Sequence, residues 1–316
     1  MGIFVFNPIE PTSGNDIQCP PTTAGERLMG RRGLHAVVTT EGGAADLPAP
    51  DLGALRRRLE GMVGPEASLR EVEVHPVIGS TNRHALDAGR EGLLVVALEQ
   101  TEGRGRHGSP WSSPPGGLYL SYVPLAAQIP RRPTDLPLLA SLAVADVVDA
   151  HLGREGVTGH RALLKWPNDV LVGDGKVAGV LVQSREPPLA AVGIGLNVNA
   201  SIALEGPRPP EERPLRPRSL RDLTGRPLDL AQVLVDLVVS LTGRLAAGLD
   251  GPAMEEYRSR LHTLGRRVAF TDGGERLIGT AVDISPDGGG LLVRLPGGKV
   301  RKVTSGEVRH VRSVEG

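Results

Sequence analysis

Gly103-Arg104-Gly105-Arg106-His107-Gly108, followed by Ser109-Pro110-Trp111-Ser112-Ser113-Pro114-Pro115, is the stretch on which the fold turns. Its first six residues match G-x-G-x-x-G, the spacing of a dinucleotide-binding loop. That spacing works only if a helix opens at the third glycine and points its N-terminus at a pyrophosphate. Pro110, Pro114 and Pro115 forbid such a helix, which excludes a Rossmann-type sheet. A P-loop fails as well, because Gly175-Lys176 is followed by Val177 rather than Ser or Thr. What remains is a flexible, arginine-bearing clamp for anions. Arg104 and Arg106 suit phosphate oxygens, and Gly105 lets the backbone come close. An exposed turn with solvated arginines uses the same residues, so the loop by itself does not choose.

The flanking sequence sets the frame. Leu93 to Leu98 is a short apolar run, a buried strand that delivers Gln100 and the loop at its end. Upstream, Asp51 caps a helix carrying Leu52, Leu55, Leu59 and Met62. Val72, Val74 and Val77 form a strand ending at Gly79, and Ser80 caps a helix to about Ala88. Downstream come a strand over Leu118–Val123, a helix over 136–152, strands near 162–165, 169–172, 177–184 and 189–198, and helices at 229–248 and 252–262. Prolines between 205 and 218 remove backbone donors and predict a mobile loop. From Arg266 onward, short alternating runs are broken by Asp272-Gly273-Gly274, Pro286 to Gly290 and Pro296-Gly297-Gly298, which predicts a small antiparallel barrel. Residues 1–50 show no period and read as a disordered tail, or as an over-extended start with Met29 the true initiator. The expected division is therefore 1–50 tail, 51–264 main domain and 265–316 barrel.

Composition narrows the function. A length of 316 residues fits about two domains. The net charge is zero and the pI near 7.1, without the basic footprint of a nucleic-acid binder, and no helix-turn-helix pattern occurs in 1–50. The single cysteine, Cys19, forms no internal disulfide, in keeping with a reducing cytoplasm. No apolar run approaches the roughly 20 residues of a membrane span. Lysine is scarce: Lys165, Lys176, Lys299 and Lys302 are the only ones. Two of these four fall within residues 165–176, which hints at a need for compact point charges, although chance clustering gives the same count. Lys165-Trp166-Pro167-Asn168-Asp169 joins two apolar strands, so its polar groups emerge at a sheet end. Asn168 and Asp169 are also ordinary turn formers. The glycines of Gly193-Ile194-Gly195-Leu196-Asn197-Val198-Asn199 read as close approach of the strand to a ligand or a neighbouring strand.

Ser80-Thr81-Asn82, Gln100 with Gly103 to Arg106, Lys165 to Asp169, Lys176-Val177-Ala178-Gly179-Val180-Leu181 and Gly193 to Asn199, in that order, resemble the biotin protein ligases over residues 51–316. The resemblance implies an α+β fold, a mixed β-sheet with helices on one side followed by a small SH3-like barrel. It implies an enzyme that makes biotinyl-5′-AMP from biotin and ATP with Mg²⁺. The biotinyl group then passes to a lysine of biotin carboxyl carrier protein domains. By the same resemblance Ser80, Thr81 and Asn82 lie near the ureido head of biotin, and Gln100 hydrogen-bonds it. Arg104, Gly105 and Arg106 close over carboxylate and phosphate, with Lys165 in the adenylate site. Lys176 binds where the mixed anhydride forms, so Lys176, Arg106 and Arg104 are the catalytic candidates. Further candidates are Trp111, against the alkyl tail or simply in the core, together with Asn168, Gly179, Gly195 and Asn197. Asp169 is a candidate metal or base residue. The segment 205–218 is expected to close over the adenylate, and His107 departs from a pattern that often has a cation there. A cytoplasmic monomer or weak homodimer is expected, with no DNA and no membrane partner.

Two sister activities share the implied fold. An octanoyltransferase needs a nucleophilic cysteine, and Cys19 lies in the tail. A lipoate-protein ligase also adenylates a carboxylate, but the Arg-Gly loop favours biotin. A non-catalytic biotin sensor differs from the enzyme only in activity, and a repressor would need the DNA-binding module that 1–50 lacks.

Overall fold

A computed structural model describes residues 51–64, 66–185, 189–200, 202, 215–304 and 308–310. The tail expected over 1–50, with Cys19 and Met29, lies outside the described residues, as does most of the loop expected at 205–218.

Asp51 caps α1 (Leu52–Glu60) by accepting the Ala54 amide at 3.0 Å, and Leu55 and Leu59 are its buried stripe. Met62 falls just beyond the helix end. Seven strands build the main sheet: β1 (Glu71–His75), β2 (Leu93–Ala97), β3 (Leu118–Tyr122), β4 (Ala162–Lys165), β5 (Asp169–Val172), β6 (Gly175–Ser184) and β7 (Ala190–Leu196). Their spatial order is β1-β2-β3-β7-β6-β5-β4. The β1–β2 pair is parallel, and the others along this path are antiparallel. An eighth, two-residue strand, β8 (Arg216–Pro217), runs parallel to the start of β6.

Helix α3 (Leu136–Arg154) is apolar on nearly every side because it lies between the sheet and α5 (Leu230–Ala247). Both helices are long and apolar enough to cross a membrane. α3 is mostly buried, while α5 buries one stripe, Val233, Leu234, Leu237, Val238, Leu241 and Leu245. Length and composition alone therefore do not make either a span. α4 (Leu220–Thr224) and α6 (Gly251–Arg260) complete this layer.

One expectation needs correcting: the helices are not all on one side. α2 (Thr81–Ala88) packs Ala85 and Leu86 on Leu93, Val95 and Ala191, whereas Leu94, Val96 and Val192 face the larger core. Alternation along β2 and β7 thus gives two buried faces, and α2 covers the second. A second correction concerns the end of the proline-rich loop. Arg216 and Pro217 are a strand, not loop. Proline lacks its own donor, but the next amide, that of Arg218, bonds the Lys176 carbonyl at 2.9 Å.

The C-terminal strands β9 (Arg267–Asp272), β10 (Glu275–Ile284), β11 (Leu291–Arg294), β12 (Val300–Val303) and β13 (Arg309–His310) form a separate antiparallel sheet, ordered β12-β11-β10-β9-β13. The β9–β10 turn places Gly273 and Gly274 at φ of 59° and 88°, the left-handed pair that a tight hairpin requires. The Gly-rich turn after β10 docks on the main domain. There the buried Trp166 donates its indole N–H to the Gly289 carbonyl at 2.7 Å, and its amide bonds Thr263 Oγ1 at 3.0 Å.

Candidate active site

The first turn of α2 supplies the floor. Ser80 caps the helix, which leaves Thr81 and Asn82 buried against the sheet. The Thr81 amide donates to Gln100 Oε1 at 2.9 Å, and the Thr81 hydroxyl lies 3.0 Å from the same atom. The Gln100 side chain donates on through Nε2 to Ser113 Oγ at 3.0 Å. Asn82 Nδ2 donates to the Leu181 carbonyl at 3.1 Å and to Gln183 Oε1 at 2.9 Å. Beneath them Ser121 Oγ sits 2.8 Å from Thr81 Oγ1 and 2.6 Å from Asn82 Oδ1. The result is a neutral polar network that joins α2, β3, β6 and the segments flanking the arginine loop.

The arginine loop is not a floppy clamp. Gly103 and Gly105 pair with Trp111 and Ser109 in a short hairpin, through Trp111 N to Gly103 O at 2.9 Å and Gly105 N to Ser109 O at 2.7 Å. Its tip is a single turn over Arg106–Gly108, with His107 left-handed at φ 55°. Gly103 is required for closure, since a Cβ there would fall 2.4 Å from the Trp111 carbonyl. Arg104, exposed at the hairpin edge, reaches the Gly108 carbonyl at 3.3 Å.

The hairpin lays Trp111 across the sheet. Gly179 on β6 and Gly195 on β7 are direct partners, and a Cβ on either would meet the indole, at 3.0 Å and 2.4 Å. The Lys176 ammonium rests 4.9 Å from the indole ring centre. From there it reaches Asp169 Oδ1 at 2.6 Å, and Asp169 Oδ2 faces the Lys165 ammonium at 3.6 Å. Lys165 and Asp169 are opposite each other across β4 and β5, so strand register sets that pair. One carboxylate therefore spaces two ammonium groups at the mouth of the pocket.

A pocket of about 400 Å³ opens between the floor and this mouth. It is lined by Ser80, Thr81, Asn82, Gln100, Arg104, Gly105, Arg106, Trp111, Lys165, Asn168, Asp169, Lys176, Gly179 and Gly195. Asn197 is the exception. It is buried behind Lys176, and its Nδ2 lies 3.3 Å from both the Lys176 and the Arg218 carbonyls, which makes it a clamp on the backbone carrying Lys176. Asn168 holds its turn by bonding the Val180 carbonyl at 2.8 Å. Asp169 is the lone carboxylate among the lining residues, and both its oxygens are committed to ammonium groups. That donor set does not fit a protein-held Mg²⁺, which wants several oxygen ligands, and the metal role expected for Asp169 gives way to that of counter-ion.

Sequence reading missed Ser113, Ser121 and Gln183. Ser121 left a trace: it is a hydroxyl inside Leu118-Tyr119-Leu120-Ser121-Tyr122, and a buried hydroxyl needs a partner. Gly193, expected to allow close approach, lines the pocket too. It makes room for the Asn82 carboxamide, which a Cβ would meet at 2.3 Å.

Comparison with known proteins gives one picture. A model of the biotin/lipoate A/B protein ligase family matches residues 74–199, and one of the biotin protein ligase C-terminal domain matches 263–311. The biotin–[acetyl-CoA-carboxylase] ligase of Mycobacterium tuberculosis is 33% identical over 275 residues, spanning 84% of this chain and 97% of that protein. The ligase of the same description from Paracoccus denitrificans is 33% identical over 230 residues, 70% of this chain and 92% of the relative. The solved structure of the Aquifex aeolicus biotin protein ligase in complex with biotin and ATP superposes with a TM-score of 0.63 at 30% identity, covering 78% of this chain and all (100%) of that one.

Proposed function

The chain belongs to the biotin protein ligase family, and we propose that its pocket runs both half-reactions: activation of biotin with ATP and transfer of biotin to a carrier lysine. The observation that supports this most is the pairing of a neutral polar floor with a cationic mouth. Biotin has that polarity. Its ureido ring is uncharged and takes hydrogen bonds from Ser, Thr, Asn and Gln groups, while its far end is a carboxylate.

In the first step a biotin carboxylate oxygen attacks the α-phosphorus of ATP, the bond to the β-phosphate breaks, and pyrophosphate leaves. Two anions must approach, so the barrier is largely electrostatic. Arg104, Arg106, Lys165 and Lys176 oppose the single Asp169, which leaves the mouth cationic. Asp169 keeps both ammonium groups aimed before substrate arrives, so little reorganisation is needed. Mg²⁺ enters as part of the nucleotide substrate, held by its phosphates. In the second step the neutral amine of the carrier lysine attacks the acyl carbon, AMP leaves with the bonding pair, and the surplus proton on nitrogen passes to solvent.

The acceptor we propose is the lysine of a biotin carboxyl carrier domain, in the cytoplasm, where ATP and a protein with one cysteine both belong. The main domain at 51–264 would carry the chemistry, and 265–316 would brace it through Trp166 and Gly289.

Purified protein, Mg-ATP and a carrier domain should give a biotin-sized mass gain on the carrier lysine. A parallel tube with lipoate and a lipoyl domain should stay blank. A gain in the lipoate tube alone would move the protein to the sister activity. Biotin binding without transfer would leave a sensor.

Ser121→Ala tests the floor. Removing a hydroxyl shared by Thr81 and Asn82 should weaken biotin binding by about tenfold, since one well-placed hydrogen bond carries about 1 kcal/mol and more when a partner is stranded. Calorimetric titration with biotin measures it, and an unchanged Kd would separate the network from ligand recognition.

A further inference from the structure

Outside the pocket, the edge strand β1 and helix α2 bring together Glu73, His75 and His84. Glu73 and His75 share one face of the strand because side chains alternate along it. His84 comes from the helix, and its amide bonds the Ser80 carbonyl at 3.1 Å. Both imidazoles turn Nε2 toward the same carboxylate oxygen, Glu73 Oε2, at 2.6 Å from His84 and 3.2 Å from His75. The rings meet edge-on with centres 5.1 Å apart. The other oxygen, Oε1, is held by Arg90.

We propose that Glu73, His75 and His84 form a binding site for a divalent transition-metal ion of the Zn²⁺ class. The three donor atoms lie within 4.8 Å of one another. A tetrahedral ion with bonds of about 2.0–2.2 Å sets its ligands roughly 3.4 Å apart. His84 and His75 Nε2, at 2.6 and 3.2 Å from Oε2, have only to move apart from it to admit the ion. Two imidazole nitrogens and one oxygen are the donors that zinc, nickel and copper prefer, whereas Mg²⁺ and Ca²⁺ want oxygen alone. Arg90 on Oε1 leaves Oε2 as a single directed ligand and supplies the outer hydrogen bond that orients it. Side-chain exposures of 24%, 30% and 38% for Glu73, His75 and His84 leave an entry path and room for water as fourth ligand.

On binding, each histidine gives its Nε2 lone pair and keeps its proton on Nδ1. Any proton held between imidazole and carboxylate goes to solvent. None of the three residues lines the substrate pocket. The ion would clip the sheet edge to the helix that Ser80 caps and whose first turn carries Thr81 and Asn82.

The test uses the untagged full-length chain, stripped with EDTA and titrated with Zn²⁺ by calorimetry and with Co²⁺ by absorption. One ion per chain is expected, with tetrahedral Co²⁺ bands and a rise in melting temperature on adding Zn²⁺. His75→Gln and His84→Gln should each weaken binding by at least about tenfold and abolish the melting shift. No binding to the native chain overturns the site, and so does binding unchanged by both substitutions. Should one variant fail to fold, the other alone gives the same decision.

Discussion

Lys176→Ala is expected to cut the rate of adenylate formation by about 10²–10³-fold, the cost of removing one preorganised charge from where negative charge accumulates. The biotin Kd should move only a few-fold, because the floor of Thr81, Asn82, Gln100 and Ser121 is untouched. Lys176 is poised by three neighbours. Asp169 lies at 2.6 Å, the Trp111 ring at 4.9 Å, and the Asn197 carboxamide at 3.3 Å from its carbonyl. Lys176→Arg should not restore the rate, since a planar guanidinium presents its charge differently from a compact ammonium and cannot fill the same position above the indole. Pyrophosphate release under single-turnover conditions, read beside calorimetric biotin binding, checks both statements. Parallel loss of rate and affinity would instead make Lys176 a ground-state binding group.

Gly195→Val should damage the site as severely by a different route. A first side-chain carbon at Gly195 falls 2.4 Å from Trp111 Nε1 and 2.6 Å from Cε2, so the indole must leave its bed. Among the described residues that indole N–H has no hydrogen-bond partner, so the ring is held by packing on the glycines and by the Lys176 ammonium over its face. Displacing it removes the platform under Lys176 and lifts the hairpin that carries Arg104 and Arg106. The expected cost is about 1–3 kcal/mol of stability from overpacking and a loss of biotin affinity of at least tenfold. Gly153→Ala is the control. It lies near the end of α3 with nothing within 4 Å of the added carbon, and should leave biotin binding unchanged. Melting curves and biotin titrations of the two variants decide the matter. Full affinity in Gly195→Val would mean that Trp111 is dispensable.

Much of this was legible in the linear chain. Ser80 as a cap, the apolar run of β2 and the Gly-rich turns after Arg266 are local signals, and local signals act through backbone conformation whatever the surroundings. The proline run after Gly108 excluded a dinucleotide helix for the same reason. The motif order also placed the loop arginines and both lysines among the site residues, and they line one pocket.

Other features depend on which atoms meet. Asp169 read as a turn former, a metal ligand or a base, and the β4–β5 register with the start of β6 puts an ammonium on each of its oxygens. Asn197 read as a binding residue but faces backbone behind the site. Gly193 and Gly195 signalled close approach without saying that the neighbours are Asn82 and Trp111. Glu73, His75 and His84 carry no shared motif, since two lie on a strand and one on a helix beyond a turn. Sequence alone determined the elements and the identity of the charged groups, because propensity and periodicity are short-range. Tertiary structure alone decided which charge neutralises which and which side chain fills each glycine's missing volume, because pairing and packing depend on distances that span the chain.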